Sequence, residues 1–317
     1  MFNNAVVRRR TIITGALLST AGLALSACSG TTVNIPGADG SSTASAGNDA
    51  VVGSAPVAAS DLIVSGSTME KIKQRGKLIV ATALDAPLVS QQDPSDPQKV
   101  NGFDADLAKM LAVYITGKPN VEWVPSASET REALLANGTV DVVFSTYTIT
   151  TKRAEQVDFA GPYFMSGLAV AVKADNNTIK GIDDLGGKNV IVQTGTPSVS
   201  EVPAKQPSAK IMPFATTPQG VQALTQGRGD AYVQDYVLLA SQSASNKDIK
   251  VVGAPFTAEP YGIGLKHNDA AFKTFVNNWL TVIEKKGLWT QVWKNTLGSV
   301  GDSPAPTPPA IGSVPGS

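Results

Sequence analysis

The chain has 317 residues, 42% of them hydrophobic and 16% charged, with 26 basic and 26 acidic side chains and a formal net charge of zero. That is too long for one small core and enough for two lobes with appendages, and a neutral chain carries no electrostatic footprint for nucleic acid. The single cysteine rules out an intramolecular disulfide or a cysteine-based metal cluster, and the single histidine, His267, removes most histidine-based catalysis and zinc sites.

The N-terminus opens with three arginines, Arg8 to Arg10, and an uncharged, apolar stretch from Thr11 to Ala27. That is the order of a signal peptide, and the stretch is short of the ~20 residues a membrane span needs. It closes in "LSAC", ending at Cys28. This resembles the lipobox of bacterial lipoproteins, which implies that residues 1–27 are removed and that Cys28 carries the lipid anchor. An ordinary signal cleavage site beside a chance cysteine is the alternative. The arginines followed by "TII" also resemble a twin-arginine export signal. Residues 28–66 are rich in Gly, Ser, Ala and Thr without an apolar period and read as a flexible tether. The folded part is expected over Ser67–Gly298.

Two pairs of segments repeat inside it. "GKLIVAT" (Gly76–Thr82) and "GKNVIVQT" (Gly187–Thr194) each start a β-rich run with Gly-Lys. "LANGTVD" (Leu135–Asp141) and "LTQGRGD" (Leu224–Asp230) each end an apolar helical run at a glycine, as a left-handed cap requires, and lead into an apolar strand. Strand, helix and strand therefore occur twice in one order, which predicts two α/β lobes with mostly parallel sheets. Between these segments, Phe103, Leu107, Leu111 and Ile115 form one stripe of a helix, and "QQDPSDPQKV" reads as a surface turn, not a metal site. Near the end, Phe272, Phe275, Trp279, Leu280 and Ile283 stripe another helix that stops at Gly287. These aromatics, with Trp289 and Trp293, read as core. The proline-rich end, residues 299–317, reads as disordered.

Open α/β sheets hold ligands beyond the carboxyl ends of their strands. The repeat locates two such ends. One leads to Thr146, Tyr147, Thr148 and Arg153, the other to Gln234 and Asp235. A planar guanidinium grips a carboxylate through two parallel hydrogen bonds, and a carboxylate takes an ammonium, so Arg153 with Thr148 on one side and Asp235 on the other suit a zwitterion. The loop "QTGTPS" (Gln193–Ser198) adds N–H groups that favour an anion. Taken singly, Arg153 could be a solvated helix residue and Asp235 a helix N-cap.

"STYTITTKRAEQVDFAGPY" (Ser145–Tyr163) resembles the Thr-x-Thr-x-x-x-x-Arg…Phe-Ser-x-Pro-Tyr signature of the solute-binding proteins of polar amino acid ABC importers, solute-binding family 3. "GFDADLAKMLA", "LLANGTVDVVF", "VIVQTGTPS", "LTQGRGDAYVQD" and "YGIGL" fall in that family's order. The resemblance implies a type II periplasmic-binding fold: two α/β lobes joined by two crossover segments, near Gly161–Leu168 and Glu259–Gly264, with a ligand cleft between them. The lobes would be residues 67–163 plus 257–298, and 164–256. It implies that Arg153, helped by Thr148 and Thr196, binds an α-carboxylate, that Asp235 and the main chain at Thr146 bind the α-ammonium, and that Gln193 belongs to the site. Arg131, in "SASETREALLANG", matches arginines of glutamate- and aspartate-binding members, notably actinobacterial glutamate-binding lipoproteins, where the position faces the ligand side chain. Arg131 could instead pair with Glu129 or Glu132 of its own helix.

The implied partners are a polar amino acid, glutamate or aspartate ahead of glutamine or asparagine, the importer's permease and ATPase subunits, and a membrane reached through lipid on Cys28. No nucleic acid, cofactor, metal or catalytic residue is expected. An enzyme on the same fold and a tethered sensor are the rival classes. Two positions depart from the family pattern: "TALDAPLVS" offers no aromatic after the first strand, and Pro197 replaces a frequent glycine and removes one N–H from the loop.

Overall fold

The structure is a computed structural model and describes residues 48–300 and 304–317. Residues 1–27, read above as a signal peptide, and Cys28 fall outside the described residues. The strands are β1 (Leu78–Thr82), β2 (Asp85–Ala86), β3 (Ser90–Asp93), β4 (Asp96–Asn101), β5 (Val121–Pro125), β6 (Val142–Val143), β7 (Val157–Ser166) and β8 (Leu168–Lys173). They continue with β9 (Asn189–Gln193), β10 (Lys210–Phe214), β11 (Ala231–Asp235), β12 (Ile249–Val252) and β13 (Glu259–Lys266).

Two five-stranded sheets have matching orders, β5-β1-β6-β13-β7 and β10-β9-β11-β8-β12. In each, the first three strands are parallel and the last two antiparallel. Each lobe is thus an α/β unit whose fourth strand comes from a crossover: β8 enters the second sheet just after Gly167, and β13 re-enters the first after residues 253–258. The two crossovers meet, because the Leu168 N–H donates to Thr257 Oγ1 at 2.8 Å.

The duplicated motif has one mechanical purpose in both halves. Gly138 and Gly227 take φ of 74° and 72°, left-handed values that glycine adopts without steric cost. The turn then delivers Asp141 to the Ile79 N–H at 2.7 Å and Asp230 to the Asn189 N–H at 2.8 Å. Each aspartate therefore clamps the neighbouring parallel strand at its first residues and fixes its register.

The first core surrounds helix Phe103–Thr116, which is buried on nearly every face. Phe103, Phe144, Tyr163, Trp279, Trp289 and Trp293 all belong to that core, so the tryptophans are structural, as their spacing suggests. Trp289 also donates its indole N–H to the Tyr163 carbonyl at 3.0 Å. "QQDPSDPQKV" forms a hairpin of β3 and β4 around a turn capped by Asp93.

Both flanking segments differ from the expectation of disorder. Residues 48–53 are helical and Val52, Ala55 and Ala58 are buried, with the Ala58 N–H donating to the Tyr114 carbonyl at 2.8 Å. At the other end, Ala305 and Ile311 pack on the first core, Val314 packs beside Tyr147, Ile149 and Phe159, and the Gly312 N–H donates to the Gly161 carbonyl at 2.8 Å. Composition hides such docking: a few apolar side chains among Gly, Ser and Pro suffice when a groove already exists to receive them. No helix among the described residues is long and apolar enough to cross a membrane.

Candidate functional site

A cavity of about 440 Å³ opens where the carboxyl ends of six parallel strands converge, three from each sheet. Residues 83–86 follow β1, 126–128 follow β5, Ser145 and Thr146 follow β6, and Thr196, Thr217 and Asp235 face them from the other lobe. Arg131, Thr146, Thr148, Arg153, Gln193, Thr196 and Asp235 all line this one space. No aromatic side chain is among its described lining residues, in keeping with the aromatic-free "TALDAPLVS".

Arg153 sits on the short helix Thr151–Ala154, whose N-cap Thr150 accepts the Arg153 N–H. The residue is 8% exposed. Nη1 donates to the Thr148 carbonyl at 2.7 Å, Nη2 to the Gly195 carbonyl at 2.7 Å, and Nε lies 3.5 Å from Glu132. A guanidinium carries five N–H donors, so two remain for an anion. Arg131, 2% exposed, donates from Nε to the Ser128 carbonyl, from Nη1 to the Ser145 carbonyl and from Nη2 to the Gly195 carbonyl, at 3.1, 3.0 and 3.3 Å. Glu132 pairs with Arg153 rather than with Arg131. Both guanidinium groups lie over the Tyr147 ring, 4.3 and 5.0 Å from its centroid, where its π face stabilises cations. Burial, and then the like charge of Arg153, push the Arg131 pKa down to about 9, which leaves it cationic at neutral pH. Burial lowers that of Arg153 as well.

Asp235 plays two parts. Its Oδ1 caps helix Tyr236–Ser245 by accepting the Val237 and Leu238 N–H groups at 2.8 and 3.4 Å. Its Oδ2 is buried without a well-formed hydrogen bond among the described residues, as are the nearby hydroxyls of Tyr261 and Ser166. Those hydroxyls are close enough to favour the carboxylate, yet burial outweighs them and raises the pKa to about 6. An unpaired, desolvated carboxylate oxygen of this kind is costly until a donor arrives.

Besides Asp85, which lines the cavity from β2, two carboxyls escaped the sequence reading. Asp104, in the first turn of helix Phe103–Thr116, accepts the Thr146 N–H and the Tyr163 hydroxyl, both at 2.8 Å. The first bond holds Thr146 at φ 43°, an uncommon conformation for a β-branched residue. Burial lifts the Asp104 pKa to about 6, with Asp235 adding to it. Glu259, at the start of β13, lines the cavity. The first could have been suspected from an acidic residue opening an apolar helix. The second follows only from knowing that the crossover borders the cavity.

Gln193 anchors the second lobe's wall. Its Oε1 accepts the Thr217 and Gln234 donors, and its Nε2 reaches Ser128 Oγ of the first lobe at 3.2 Å. Thr196 Oγ1 donates to the Gln193 carbonyl and meets Ser198 Oγ at 2.7 Å. Pro197 is the N-cap of helix Ser198–Lys205 and lines the cavity. His267 does not line it. The histidine is an exposed side chain 3.1 Å from Asp158. Among the described residues no group of three His, Cys, Asp or Glu side chains is placed to hold a metal.

A paired-cation, buried-carboxyl cavity between two α/β lobes is the architecture of periplasmic amino acid-binding proteins of the type II fold. The chain belongs to the bacterial extracellular solute-binding proteins, family 3, whose model matches residues 78–298. It is 32% identical to the ABC transporter glutamine-binding protein GlnH of Bacillus subtilis (strain 168), over 73% of this chain and 84% of that one. It is 31% identical to the glutamate-binding protein GluB of Corynebacterium glutamicum, over 71% and 80%. The crystal structure of a cysteine-binding protein from Campylobacter jejuni superposes with a TM-score of 0.70 at 28% identity, covering 75% of this chain and 96% of that one. These relatives are binding proteins, and the chain is a binding protein rather than an enzyme.

Proposed function

We propose that the protein is the extracytoplasmic substrate-binding component of an ABC importer for a polar amino acid, with glutamate (or aspartate) as the preferred ligand. The observation that carries this reading is the placement, across one cavity, of the Arg153 guanidinium opposite the buried Oδ2 of Asp235, which forms no well-aligned hydrogen bond among the described residues. In it, Arg153 binds the α-carboxylate with Thr148 and Thr196, Asp235 and the main chain at Thr146 take the α-ammonium, and Gln193 fixes the wall. Arg131 faces the ligand side chain, where a second cation favours a second carboxylate. Cys28 carries the lipid that holds residues 28–47 and the folded body to the outer face of the cytoplasmic membrane, and the closed lobes present a surface to the permease and its ATPase.

Glutamine is the second reading. All three Arg131 nitrogens already donate to backbone carbonyls, and the cavity also contains the carboxyls of Asp85 and Glu259, which offset cationic charge.

One calorimetric panel separates the cases. The wild-type protein is titrated with the twenty amino acids, and Arg153→Ala and Arg131→Met with those that bind. Micromolar binding corresponds to about −8 kcal/mol, within reach of a few charge-assisted hydrogen bonds after ordering costs. Arg153→Ala should abolish detectable binding, and Arg131→Met should shift preference from glutamate toward glutamine. A panel in which nothing binds, or an Arg153→Ala protein with wild-type affinity, ends the reading. Unchanged selectivity in Arg131→Met removes the glutamate preference alone.

A further inference from the structure

We infer that Glu259 is a second carboxylate for the ligand's α-ammonium, acting beside Asp235, an assignment that rests on the amino acid reading above. Glu259 opens β13, where the chain returns from the second lobe to the first, and the residue is only 4% exposed. It borders the same cavity as Arg153 and Asp235. Its two oxygens are not equivalent. Oε1 accepts the Thr257 hydroxyl at 3.0 Å. Oε2 is buried and receives no hydrogen bond among the described residues, although the Thr148 hydroxyl lies near enough to favour the charged form.

The donor count makes this oxygen useful. An ammonium has three N–H donors. Asp235 has one oxygen to give, because its Oδ1 is occupied by two N–H groups of the helix it caps, and the main chain at Thr146 supplies one acceptor more in that reading. A desolvated cation with unsatisfied donors is penalised, so a cavity that takes the ammonium out of water needs further acceptors. Glu259 Oε2 is buried, and only the Thr148 hydroxyl approaches it. Asp104 is already committed to Thr146 and Tyr163.

The bland account is that Glu259 serves the crossover alone. Its Oε1 holds Thr257, whose Oγ1 in turn accepts the Leu168 N–H. That explains one oxygen and leaves the other with only the Thr148 hydroxyl near it. The same chain of bonds gives the ligand contact a consequence: a cation drawn to Oε2 pulls on the side chain that links both crossovers.

The two accounts diverge on paired substitutions. Glu259→Gln removes the charge but keeps a carbonyl oxygen that can still accept the Thr257 hydroxyl. Thr257→Val removes the hydroxyl bridge and leaves the carboxylate. The full chain and both variants are titrated calorimetrically with L-glutamate and L-glutamine, with melting temperatures recorded. Glu259→Gln is expected to weaken both ligands at least tenfold and by similar factors, because the ammonium is common to them, while Thr257→Val loses much less. If Glu259→Gln melts early, Glu259→Asp, which keeps the charge but withdraws it by one methylene, must show the same loss. Near-wild-type affinity in Glu259→Gln, or a larger loss in Thr257→Val than in Glu259→Gln, overturns the assignment and leaves the amino acid reading standing. A wild-type protein that binds neither ligand overturns both.

Discussion

Burial has lifted the pKa values of two carboxyls to about 6 from the ordinary 3.8: Asp235, which lines the cavity, and Asp104, which holds the Thr146 backbone at its edge. For a raised carboxyl the protonated form is the one the fold prefers. Its contribution to stability is therefore full below about pH 4 and is lost as pH rises through about 6. A ligand ammonium reverses the preference at Asp235, because it stabilises the charged form. Affinity for an amino acid should thus fall as pH drops from 7.5 to 5, and the ligand-induced rise in melting temperature should be larger at pH 7.5. Calorimetry and thermal melts at the two pH values check this; a shift that is larger at pH 5 contradicts it. The same pair shows what a sequence can disclose at this scale. Asp235 was legible because the repeat marks a strand end. Asp104 was not, because its importance comes from the strained Thr146 backbone that it holds from a distant helix. Tyr147 drew no role from its place among threonines, whereas its buried ring underlies two guanidinium groups.

Elements whose meaning lies in period or repetition were legible, and those whose meaning lies in complementarity were not. The Gly-Lys strand starts and the Leu-x-x-Gly-x-x-Asp turns occur in both halves, so they announced two sheets of equal order before any contact was known. The C-terminal segment has no period. Its few apolar residues gain meaning only from the groove beside Ile149 and Phe159 that receives Val314. That groove lies against the segment bearing Thr150 and Arg153: a Cβ on Gly316 would come within 2.7 Å of Ala154 Cβ. The tail therefore braces the strand and helix that present Thr148 and Arg153. Partial burial of Ile311 and Val314 is worth about 1 kcal/mol each, so deleting residues 310–317 should lower the melting temperature by about 4–8 °C. Affinity should fall with it, since Arg153 loses its backing. A truncated protein that melts and binds as the full chain does would show the tail to be passive.

Across the whole molecule, the two lobes touch at the mouth of the cavity, through the loop that follows β9. The Gly195 carbonyl accepts from both Arg131 and Arg153, and Gln193 reaches Ser128 from the same side. Gly195 has φ 69°, and a Cβ there would lie 2.7 Å from the Glu129 N and 2.8 Å from the Ser128 carbonyl carbon. Those atoms are backbone of the opposite lobe and cannot swing aside. Alanine at this position adds a modest local strain of about 1–2 kcal/mol from the left-handed backbone, but its larger effect is to wedge the lobes apart, because each lobe alone has room for the methyl only when the other withdraws. Binding by lobe closure then predicts a specific pattern for Gly195→Ala. Affinity should fall tenfold or more, small-angle scattering should show no compaction on adding amino acid, and the melting temperature of the unliganded protein should change by only a few degrees. Compaction and affinity that match the wild type would mean that the contact at Gly195 is incidental, and that the charges gathered on either side of the cavity are brought together by some other path.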